Sequence, residues 1–208
     1  MLYLTTPPPF DRLIKYQEAG IGVILSGRGT VDEKWPYWAM DNGCFSAGND
    51  WNENSWFAWI SKMPKTAMWL TIPDALGDAE ETFQLSKRWI PILKDFGVPL
   101  AFVGQDGMNE NIVPWSDIDC LFIGGTTDWK LSQGPKWVIE AKSRGLATHA
   151  GRVNSWSRYR LFAEVGCDSA DGTLVAFEPD AAVSTISSWF SRFEDIKKQK
   201  DQQLSLGL

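Results

Sequence analysis

The chain alternates short apolar runs with longer helix-like segments, and this alternation constrains the fold more than any other feature. Near-continuous apolar strands separated by helices indicate a parallel sheet that is covered on both faces. Eight repeats of the unit predict a compact α/β fold, the (β/α)₈ TIM barrel, with an open doubly wound sheet as the alternative. The predicted strands are residues 2–6, 22–26, 37–41, 68–74, 100–105, 120–125, 146–151 and 167–173, of which the last is weakly hydrophobic.

The segments between these runs begin and end with residues that are typical of helix ends. Asp78 stands where an N-cap is expected, and Gly97 follows the end of the same segment. The segments 135–145 and 155–166 also close on a glycine, and the segment 9–20 begins after a proline-rich turn. These segments are predicted to be helices that carry the chain from one parallel strand to the next.

Two stretches depart from the repeating unit. The connection 27–36 is too short and too polar for a normal helix, so the barrel is expected to be trimmed there. The segment 182–200 is amphipathic and is expected to pack as the last helix. One domain is therefore expected over residues 1–200, with residues 201–208 as a frayed C-terminal tail.

Composition narrows the functional classes. The first residues lack the basic region of a signal peptide, and no apolar run could cross a bilayer, so a cytoplasmic protein is expected. Three widely spaced cysteines and one histidine cannot assemble a conventional zinc site, and neither a metal nor another cofactor is expected. The net charge of -6 argues against a generic binder of phosphate backbones. A local basic patch stays open, formed by Lys130, Arg152, Arg158 and Arg160.

Polar residues follow the predicted strands, and in a barrel these positions meet at one rim. A single aspartate after a strand is commonly a helix cap or a turn residue. Here, however, aspartates follow several successive strands, and Gln105 and the pair Gly124 and Gly125 occupy the same positions. This favours a pocket that hydrogen-bonds to the edge of a planar heterocycle. The carboxylates at these positions are Asp41, Asp74, Asp106, Asp168 and Asp171.

Other residues have two interpretations each. His149 satisfies a local hydrogen bond or contacts substrate, and Arg152 lies on a late loop where barrels often bind phosphate. The twelve tryptophans are packing residues, or a few of them are stacking faces for bases. Trp129 and Trp156, which lie near basic residues, are the stacking candidates for a nucleic-acid strand.

Taken in order, the turns over residues 37–173 resemble those of the tRNA-guanine transglycosylase family, which includes DNA-modifying relatives. The sequence "DNGCF" is similar to the family's D-S-G-G-F turn, which implies that Asp41 is the general acid/base and that Phe45 stacks on the base. "GCDSADGT" resembles G-V-D-M-F-D-C, in which the second aspartate is the nucleophile. By that resemblance Asp171 is the nucleophile and Asp168 a supporting neighbour.

Three further turns carry the same resemblance. "PD" at residues 73 and 74 is similar to the family's aspartate that recognises the guanine edge, which gives that role to Asp74. "VGQDG" resembles the V-Q-G turn and implies that Gln105 reads the base through its amide. "IGGTT" resembles the I-G-G-L turn, whose backbone around Gly124 and Gly125 meets the carbonyl of the base.

The resemblance implies a (β/α)₈ barrel that exchanges guanine in nucleic acid for a 7-deazaguanine through a covalent aspartyl–sugar intermediate. The family's cysteine and histidine zinc insertion after the nucleophile is missing here, which favours DNA over tRNA as the substrate. Expected partners are therefore nucleic acid and a free purine or 7-deazapurine base, and the sequence allows a homodimer. Two alternatives stay open: an N-glycosidase or base transferase acting on free nucleosides or nucleotides, and a base-binding protein without catalysis.

Overall fold

The computed structural model describes residues 1–8, 12–31, 35–177 and 179–205. Within these residues, eight parallel strands pair in chain order, and the last also pairs with the first, so the sheet is a closed barrel. The predicted TIM barrel is confirmed, and the open sheet is excluded. The strands are β1 (Leu2–Thr5), β2 (Ile21–Ser26), β3 (Trp38–Asp41), β4 (Leu70–Thr71), β5 (Leu100–Gly104), β6 (Cys120–Ile123), β7 (Ala147–Ala150) and β8 (Ser169–Asp171).

All predicted strands are present, but two are much shorter than their apolar runs. The run 68–74 contributes only Leu70–Thr71 to the sheet, because the chain leaves the barrel before Pro73, which lacks the N–H that a strand needs. The run 167–173 contributes only Ser169–Asp171. Apolar character therefore extends beyond the sheet into the buried segments that enter and leave it.

The helices cover the outside of the barrel. The described ones are α1 (Leu13–Glu18), α2 (Cys44–Ala47), α3 (Glu53–Ile60), α4 (Ala79–Leu93), α5 (Thr127–Ser143), α6 (Trp156–Glu164), α7 (Leu174–Phe177) and α8 (Pro179–Ser205). Asp78 is the N-cap of α4, as predicted, and accepts a hydrogen bond from the Glu81 amide. None of the helices in the described part of the chain combines the length and apolar character that crossing a bilayer requires.

Several helix boundaries differ from the predicted ones. The helix predicted over 135–145 begins at Thr127, where Thr126 caps it, so Pro135 lies inside α5. Residues 201–205 of the expected tail continue α8 and are exposed, while residues 206–208 lie outside the described residues. The connection 27–36 has no helix in its described residues, as expected, and residues 32–34 of it are not described. Of the segment predicted as a helix over 9–20, residues 9–11 also lie outside them.

The core has two parts, one inside the barrel and one between the strands and the helices. Side chains inside the barrel include Leu4, Ile24, Ala39 and Trp69, all buried. The outer part contains most of the buried tryptophans, such as Trp56 and Trp89 in edge-to-face contact. The packing interpretation therefore holds for most of the tryptophans.

Strand pleating determines which polar residues reach the inside of the barrel. Side chains alternate between the two faces of a strand, so Asp41 shares the inner face with Ala39, two positions before it. On β8, Ser169 and Asp171 share one face, and Ser169 is the register partner of His149. The carboxyl ends of β3 and β8 thus aim carboxylates into the mouth of the barrel.

Candidate active site

A cavity of about 270 Å³ opens at the carboxyl ends of the strands. Residues from the ends of all eight strands, or from the turns that follow them, line this cavity, which is the position expected for an active site in this fold. The predicted site residues that line it are Asp41, Phe45, Asp74, Gln105, Gly124, Gly125, Arg152 and Asp171. The structure therefore brings together eight side chains or backbone segments that lie as far apart as residues 41 and 171.

Asp41 ends β3 and faces this cavity. Its Oδ1 lies 3.2 Å from the Thr71 hydroxyl, and the hydroxyl of Ser26 and the backbone at Gly43 also hydrogen-bond to its carboxylate. Burial nevertheless raises the pKa of Asp41 above its ordinary value, with the charge of Asp171 acting in the same direction. A carboxyl group with a raised pKa can hold and transfer a proton near neutral pH.

Asp171 ends β8 on the opposite side of the barrel mouth. Its Oδ1 lies 3.0 Å from His149 Nε2 and accepts a hydrogen bond from the Arg152 amide at 3.3 Å. Within the described residues, no hydrogen bond engages the other oxygen, Oδ2. One oxygen is therefore fixed by the protein, and the other is available to a ligand in the cavity.

The turn after Asp171 has no room for a side chain. A Cβ atom on Gly172 would lie 2.1 Å from the Tyr3 hydroxyl and 2.3 Å from Asn154 Oδ1. Asn154 also accepts a hydrogen bond from the Thr173 amide at 2.7 Å. The glycine in "SADGT" is thus required by close approach, and the turn holds the end of β8 in place.

A polar network fixes Asp74 at the other wall of the cavity. Its two carboxylate oxygens accept hydrogen bonds from Asn42 Nδ2 at 2.7 Å and from Gln105 Nε2 at 2.5 Å. Burial raises the pKa of Asp74 to about 6, against the opposing effect of these hydrogen bonds and of Arg152. Each carboxylate oxygen keeps a second acceptor position, so the ionised group can accept from two adjacent N–H donors of a ligand.

The same network holds Gln105 in place. Its Oε1 accepts from the backbone amides of Gly77 and Gly125 at 2.9 and 3.0 Å, and its Nε2 donates to Asp74 Oδ2 at 2.5 Å. The buried side chain thus braces Asp74 through one N–H, and the predicted contact of its amide with a base stays a prediction. The Gly125 amide is likewise engaged.

The glycine pair allows close approach at the same wall. A Cβ atom on Gly124 would lie 2.6 Å from Val103, and one on Gly125 would lie 2.5 Å from the ring of Trp129. Gly125 also has a positive φ of 65°. The predicted contact between this backbone and a base can therefore form only on the side of the turn that faces the cavity. The Gly125 carbonyl itself accepts a hydrogen bond from the Arg152 guanidinium.

Phe45 and Arg152 both line the cavity and contact each other there. The guanidinium carbon of Arg152 lies 4.6 Å from the centroid of the Phe45 ring, which is 55% exposed. Arg152 is the one non-glycine among the described residues with a positive φ, at 58°. The Phe45 face is thus available to a planar ligand that displaces the guanidinium.

Asp168 is not part of this site, which corrects its predicted place beside the nucleophile. It precedes β8, at the amino-terminal end of the barrel, and a strand rises by about 3.3 Å for each residue. Its Oδ2 accepts from the amide and the hydroxyl of Thr148 at 2.8 and 2.9 Å, and its Oδ1 lies 2.7 Å from Lys142 Nζ. Asp168 therefore ties β8 to β7 and α5.

His149 is also displaced from its predicted role as a substrate contact. The side chain is fully buried inside the barrel, behind Asp171, with the rings of Trp69 and Phe122 at 4.8 and 4.5 Å from its own. The interpretation as a satisfied local hydrogen-bonding group describes its position better. One of its partners, however, is a carboxylate that lines the cavity.

The predicted basic patch does not form as a surface. Lys130 is buried, and its ammonium donates to the carbonyl of Gly151. Burial lowers the pKa of Lys130 to about 7, and the charge of Arg152 acts in the same direction. Arg160 pairs with Glu164 on the outside of α6, so Arg152 and Arg158 are the two members that stay near the cavity.

The two tryptophans proposed to stack on a nucleic-acid strand have packing roles. Trp129 covers Gly125, and Trp156 stacks on Tyr159 with the guanidinium of Arg192 at 4.2 Å from its ring.

Asp106, another of the predicted rim carboxylates, lies at the start of α5. Its carboxylate accepts hydrogen bonds from the Thr126 amide and hydroxyl at 2.7 and 2.6 Å.

Sequence reasoning missed Asn42. This residue is 2% exposed and lines the cavity, and its side chain donates to the Ile72 carbonyl and to Asp74. Its own Oδ1 accepts from the Cys44 amide at 2.8 Å. The available signal was its position next to Asp41 in "DNGCF", since the residue after an inward-facing strand end starts the turn that lines the mouth.

Among the described residues, no group of three or more His, Cys, Asp or Glu side chains is placed to hold a metal ion.

A second opening of about 830 Å³ adjoins the cavity and shares part of its wall, namely Thr6, Ile24, Ser26, Asn42 and Ser46. The cavity is therefore continuous with a larger groove over the ends of β1 to β3.

Comparison with known proteins supports the fold alone. No protein-family model matches the chain, and no curated protein matches it. The Bacillus subtilis YkuI protein, which has an EAL domain and was crystallised with its substrate c-di-GMP and calcium, has a TM-score of 0.50 at 14% identity. The match covers 85% of this chain and 48% of YkuI, so the chain spans about half the length of that protein. A designed, cube-shaped and highly porous protein cage, made by fusing symmetric oligomeric domains, has a TM-score of 0.53 at 10% identity, over 99% of this chain and 76% of its own.

Proposed function

We propose that the protein is a base-exchange glycosyltransferase that replaces guanine in nucleic acid, DNA in preference to tRNA, by a 7-deazaguanine. One observation carries the proposal: Asp41 and Asp171 line the same cavity, and their surroundings differ. Burial favours the protonated form of Asp41, whereas the protein's N–H groups hold one oxygen of Asp171. Two carboxyl groups in different surroundings can divide acid/base and nucleophilic roles between them.

In the first half of the reaction, Asp171 Oδ2 attacks C1′ of the target nucleotide. The C1′–N9 bond breaks, and its electron pair leaves with the purine. Asp41, in its acid form, supplies a proton to the departing base. In the second half, Asp41 removes a proton from the incoming base, whose nitrogen attacks C1′ and releases the Asp171 carboxylate. Proton and electron pairs balance over the cycle, and no other reactant is needed.

The Asp74 network supports a guanine-type base. Guanine presents two neighbouring N–H donors on one edge, N1–H and the exocyclic amine, and a fixed carboxylate accepts both. Asn42 and Gln105 hold the two oxygens of Asp74 in place by hydrogen bonds at 2.7 and 2.5 Å. A purine that stacks on Phe45 displaces the guanidinium of Arg152, which then becomes available to a phosphate.

The adjoining groove favours a polymer over a free nucleoside. A nucleoside fills a cavity of about 270 Å³, whereas a strand that continues beyond its sugar needs an exit such as the groove of about 830 Å³. A base from a duplex must leave the stack before it reaches the cavity, at a cost of a few kcal/mol. Single-stranded DNA is therefore expected to be the better substrate.

Label transfer tests the proposal. The protein is incubated with guanine-containing DNA, tRNA, free nucleotides and c-di-GMP, with labelled guanine or a labelled 7-deazaguanine, and each product is analysed for label. Incorporation into DNA supports the proposal. Base release without incorporation supports the alternative hydrolase, tight binding without turnover supports a base-binding protein, and cleavage of c-di-GMP would replace the proposal altogether.

A further inference from the structure

The one histidine of the sequence lies directly behind Asp171. His149 is 0% exposed, and the rings of Trp69 and Phe122 pack against the imidazole. Its two nitrogens have different neighbours: Nδ1 lies 2.8 Å from Ser169 Oγ, and Nε2 lies 3.0 Å from Asp171 Oδ1. The imidazole therefore connects a hydroxyl to the carboxylate that lines the cavity.

The distances around Ser169 indicate which nitrogen of His149 carries the proton. The Ser169 hydroxyl lies 2.8 Å from Nδ1 but 3.5 Å from the Thr148 carbonyl. Since the longer distance is outside the usual range of an O–H···O hydrogen bond, Nδ1 is the better acceptor for the hydroxyl proton. A ring nitrogen that accepts a hydrogen bond has no proton of its own, and a carboxylate can only accept, so this arrangement goes with an imidazole that carries its proton on Nε2, next to Asp171.

We propose that His149 is a positioning residue for Asp171: Ser169 selects the Nε2–H tautomer, and this N–H holds Oδ1 so that Oδ2 faces the cavity. This inference rests on the proposed function, because it takes Asp171 as the nucleophile. The Arg152 amide donates to the same oxygen, Oδ1, at 3.3 Å. Both protein donors thus act on one side of the carboxylate.

Packing makes this arrangement rigid. The imidazole is enclosed by two aromatic rings, and β7 and β8 place His149 and Ser169 opposite each other in the parallel register. The carboxylate orientation is therefore set before a substrate enters, which saves the reorganisation that a freely rotating side chain needs. A second consequence is that a change at Ser169, which does not line the cavity, is transmitted to the reacting oxygen.

The tautomer can be read directly, because the protein has a single imidazole. In ¹⁵N-labelled protein, two-bond ¹H–¹⁵N correlation spectra distinguish a protonated ring nitrogen from an unprotonated one. The expected result at neutral pH is a protonated Nε2 and an unprotonated Nδ1. Protonation of Nδ1, alone or together with Nε2, would overturn the proposal, and this readout needs no turnover.

Two serine variants separate the proposed effect from a general loss of packing. Ser169→Ala is expected to shift the tautomer away from pure Nε2–H and to lower kcat by about threefold to tenfold, the rate equivalent of one neutral hydrogen bond. Ser86→Ala is the control, since Ser86 is also buried but donates within α4 to the Phe83 carbonyl. It is expected to leave both the spectrum and kcat unchanged. Identical spectra for wild type and Ser169→Ala contradict the assignment.

Substitutions of the histidine test the positioning role itself. The amide nitrogen of His149→Gln reaches the place of the imidazole Nε2, whereas that of His149→Asn reaches only the place of Nδ1. We expect His149→Asn to lower kcat by about tenfold to a hundredfold, as for a lost hydrogen bond to a charged group, with the Kd for guanine unchanged. His149→Gln is expected to stay within about threefold of wild type.

The outcomes also separate this inference from the proposed function. Equal losses in the Gln and Asn variants, or losses that follow the folded fraction measured by circular dichroism, would overturn the positioning role. A wild type that transfers label to no substrate would instead refute the proposed function. In that case the tautomer spectrum still decides whether Ser169, His149 and Asp171 are ordered as inferred.

Discussion

Asp168 and Asp171 are three positions apart on one strand segment, yet they belong to opposite ends of the barrel. The Asp168 carboxylate has three contacts, namely two hydrogen bonds from the amide and hydroxyl of Thr148 and an ion pair with Lys142. Asp171 lines the cavity, with one oxygen in contact with His149 and Arg152 and the other without a hydrogen bond among the described residues. The comparison teaches that a saturated carboxylate stabilises the fold, while a half-saturated one is available for chemistry.

Paired substitutions of these aspartates should separate the two ends most strongly. Asp171→Asn removes the proposed nucleophile and is expected to lower the rate of label transfer on the order of 10⁴-fold or more. Asp168→Asn weakens the contacts to Thr148 and is expected to lower the free energy of unfolding by about 1–3 kcal/mol while the transfer rate stays near wild type. Transfer assays and urea unfolding measure both effects. A normal rate for Asp171→Asn would break the comparison.

Asp41 extends the comparison to a second strand at the carboxyl end. Because Asp41→Asn can neither take up nor release a proton, the transfer rate should fall by about 10²- to 10⁴-fold. The fold and guanine affinity should be kept, since Thr71 and Ser26 can still hydrogen-bond to the amide. Equilibrium dialysis with labelled guanine is the check. A loss of binding equal to the loss of rate would assign Asp41 to binding alone.

The two glycines that flank β8 test the ends without changing charge. A Cβ atom on Gly172 would meet the Tyr3 hydroxyl, whereas one on Gly166 meets nothing within 4 Å but must accept a φ of 80°. Each alanine variant should lower the free energy of unfolding by about 1–3 kcal/mol, through overpacking or backbone strain respectively. Only Gly172→Ala is expected to lower the transfer rate, by about tenfold, because it displaces the turn after Asp171.

Removal of the Tyr3 hydroxyl sharpens that test. The double variant Tyr3→Phe with Gly172→Ala relieves the closest of the contacts, at 2.1 Å, and should recover part of the rate and of the stability. Equal rates for the Gly166 and Gly172 variants would show that the two ends respond alike.

Asp74 predicts the smallest effect, a pH dependence. Its pKa is raised to about 6, so lowering the pH through that value protonates the carboxylate and removes an acceptor for the guanine edge. Guanine affinity should fall by about tenfold for each pH unit below about 6. Asp74→Asn should bind weakly at every pH, and titration calorimetry between pH 5 and 8, a range of about three units around that pKa, measures both.

Stability should change with pH in the opposite sense. The folded-state pKa of Asp74, about 6, exceeds its ordinary value of 3.8, so its contribution to stability is full below about pH 3.8 and is lost as the pH rises through about 6. The unfolding free energy of wild type is therefore expected to decline between about pH 3.8 and 6 more than that of Asp74→Asn. A parallel pH dependence of the two proteins would contradict the assignment.

The sequence predicted which carboxylates would meet at the cavity, for a definite reason. Asp41, Asp74 and Asp171 each end a strand run or directly follow one, so the barrel places them at the same rim. Gln105 was found by the same argument, but its role could not be, because that depends on the Gly77 and Gly125 amides from other loops. Residue type and strand position give location and not hydrogen-bond partners.

Lys130 and Asp168 show the same limit, because both were predicted at the site and the structure places both away from it. Both were placed at the surface of the site by their charge and their neighbourhood in the sequence. The direction of each side chain depends on its helix or strand: Lys130 turns into the protein toward Gly151, and Asp168 falls on the amino-terminal side of β8. A displacement of three residues, about 10 Å along a strand, separates a site residue from a structural one.

By itself, the sequence determined the barrel and which residues lie at its rim. Each apolar run and each helix cap is a local property of its own segment, and the alternation of the two along the chain indicates the barrel. Only the tertiary structure decided how the rim works. The contacts of Asp171 with His149, of Asn42 with Asp74 and of Arg152 with Phe45 join residues from separate strands and loops. Hydrogen bonds and burial act over a few ångströms in space, whatever the distance along the chain, and those distances are set only when the barrel closes.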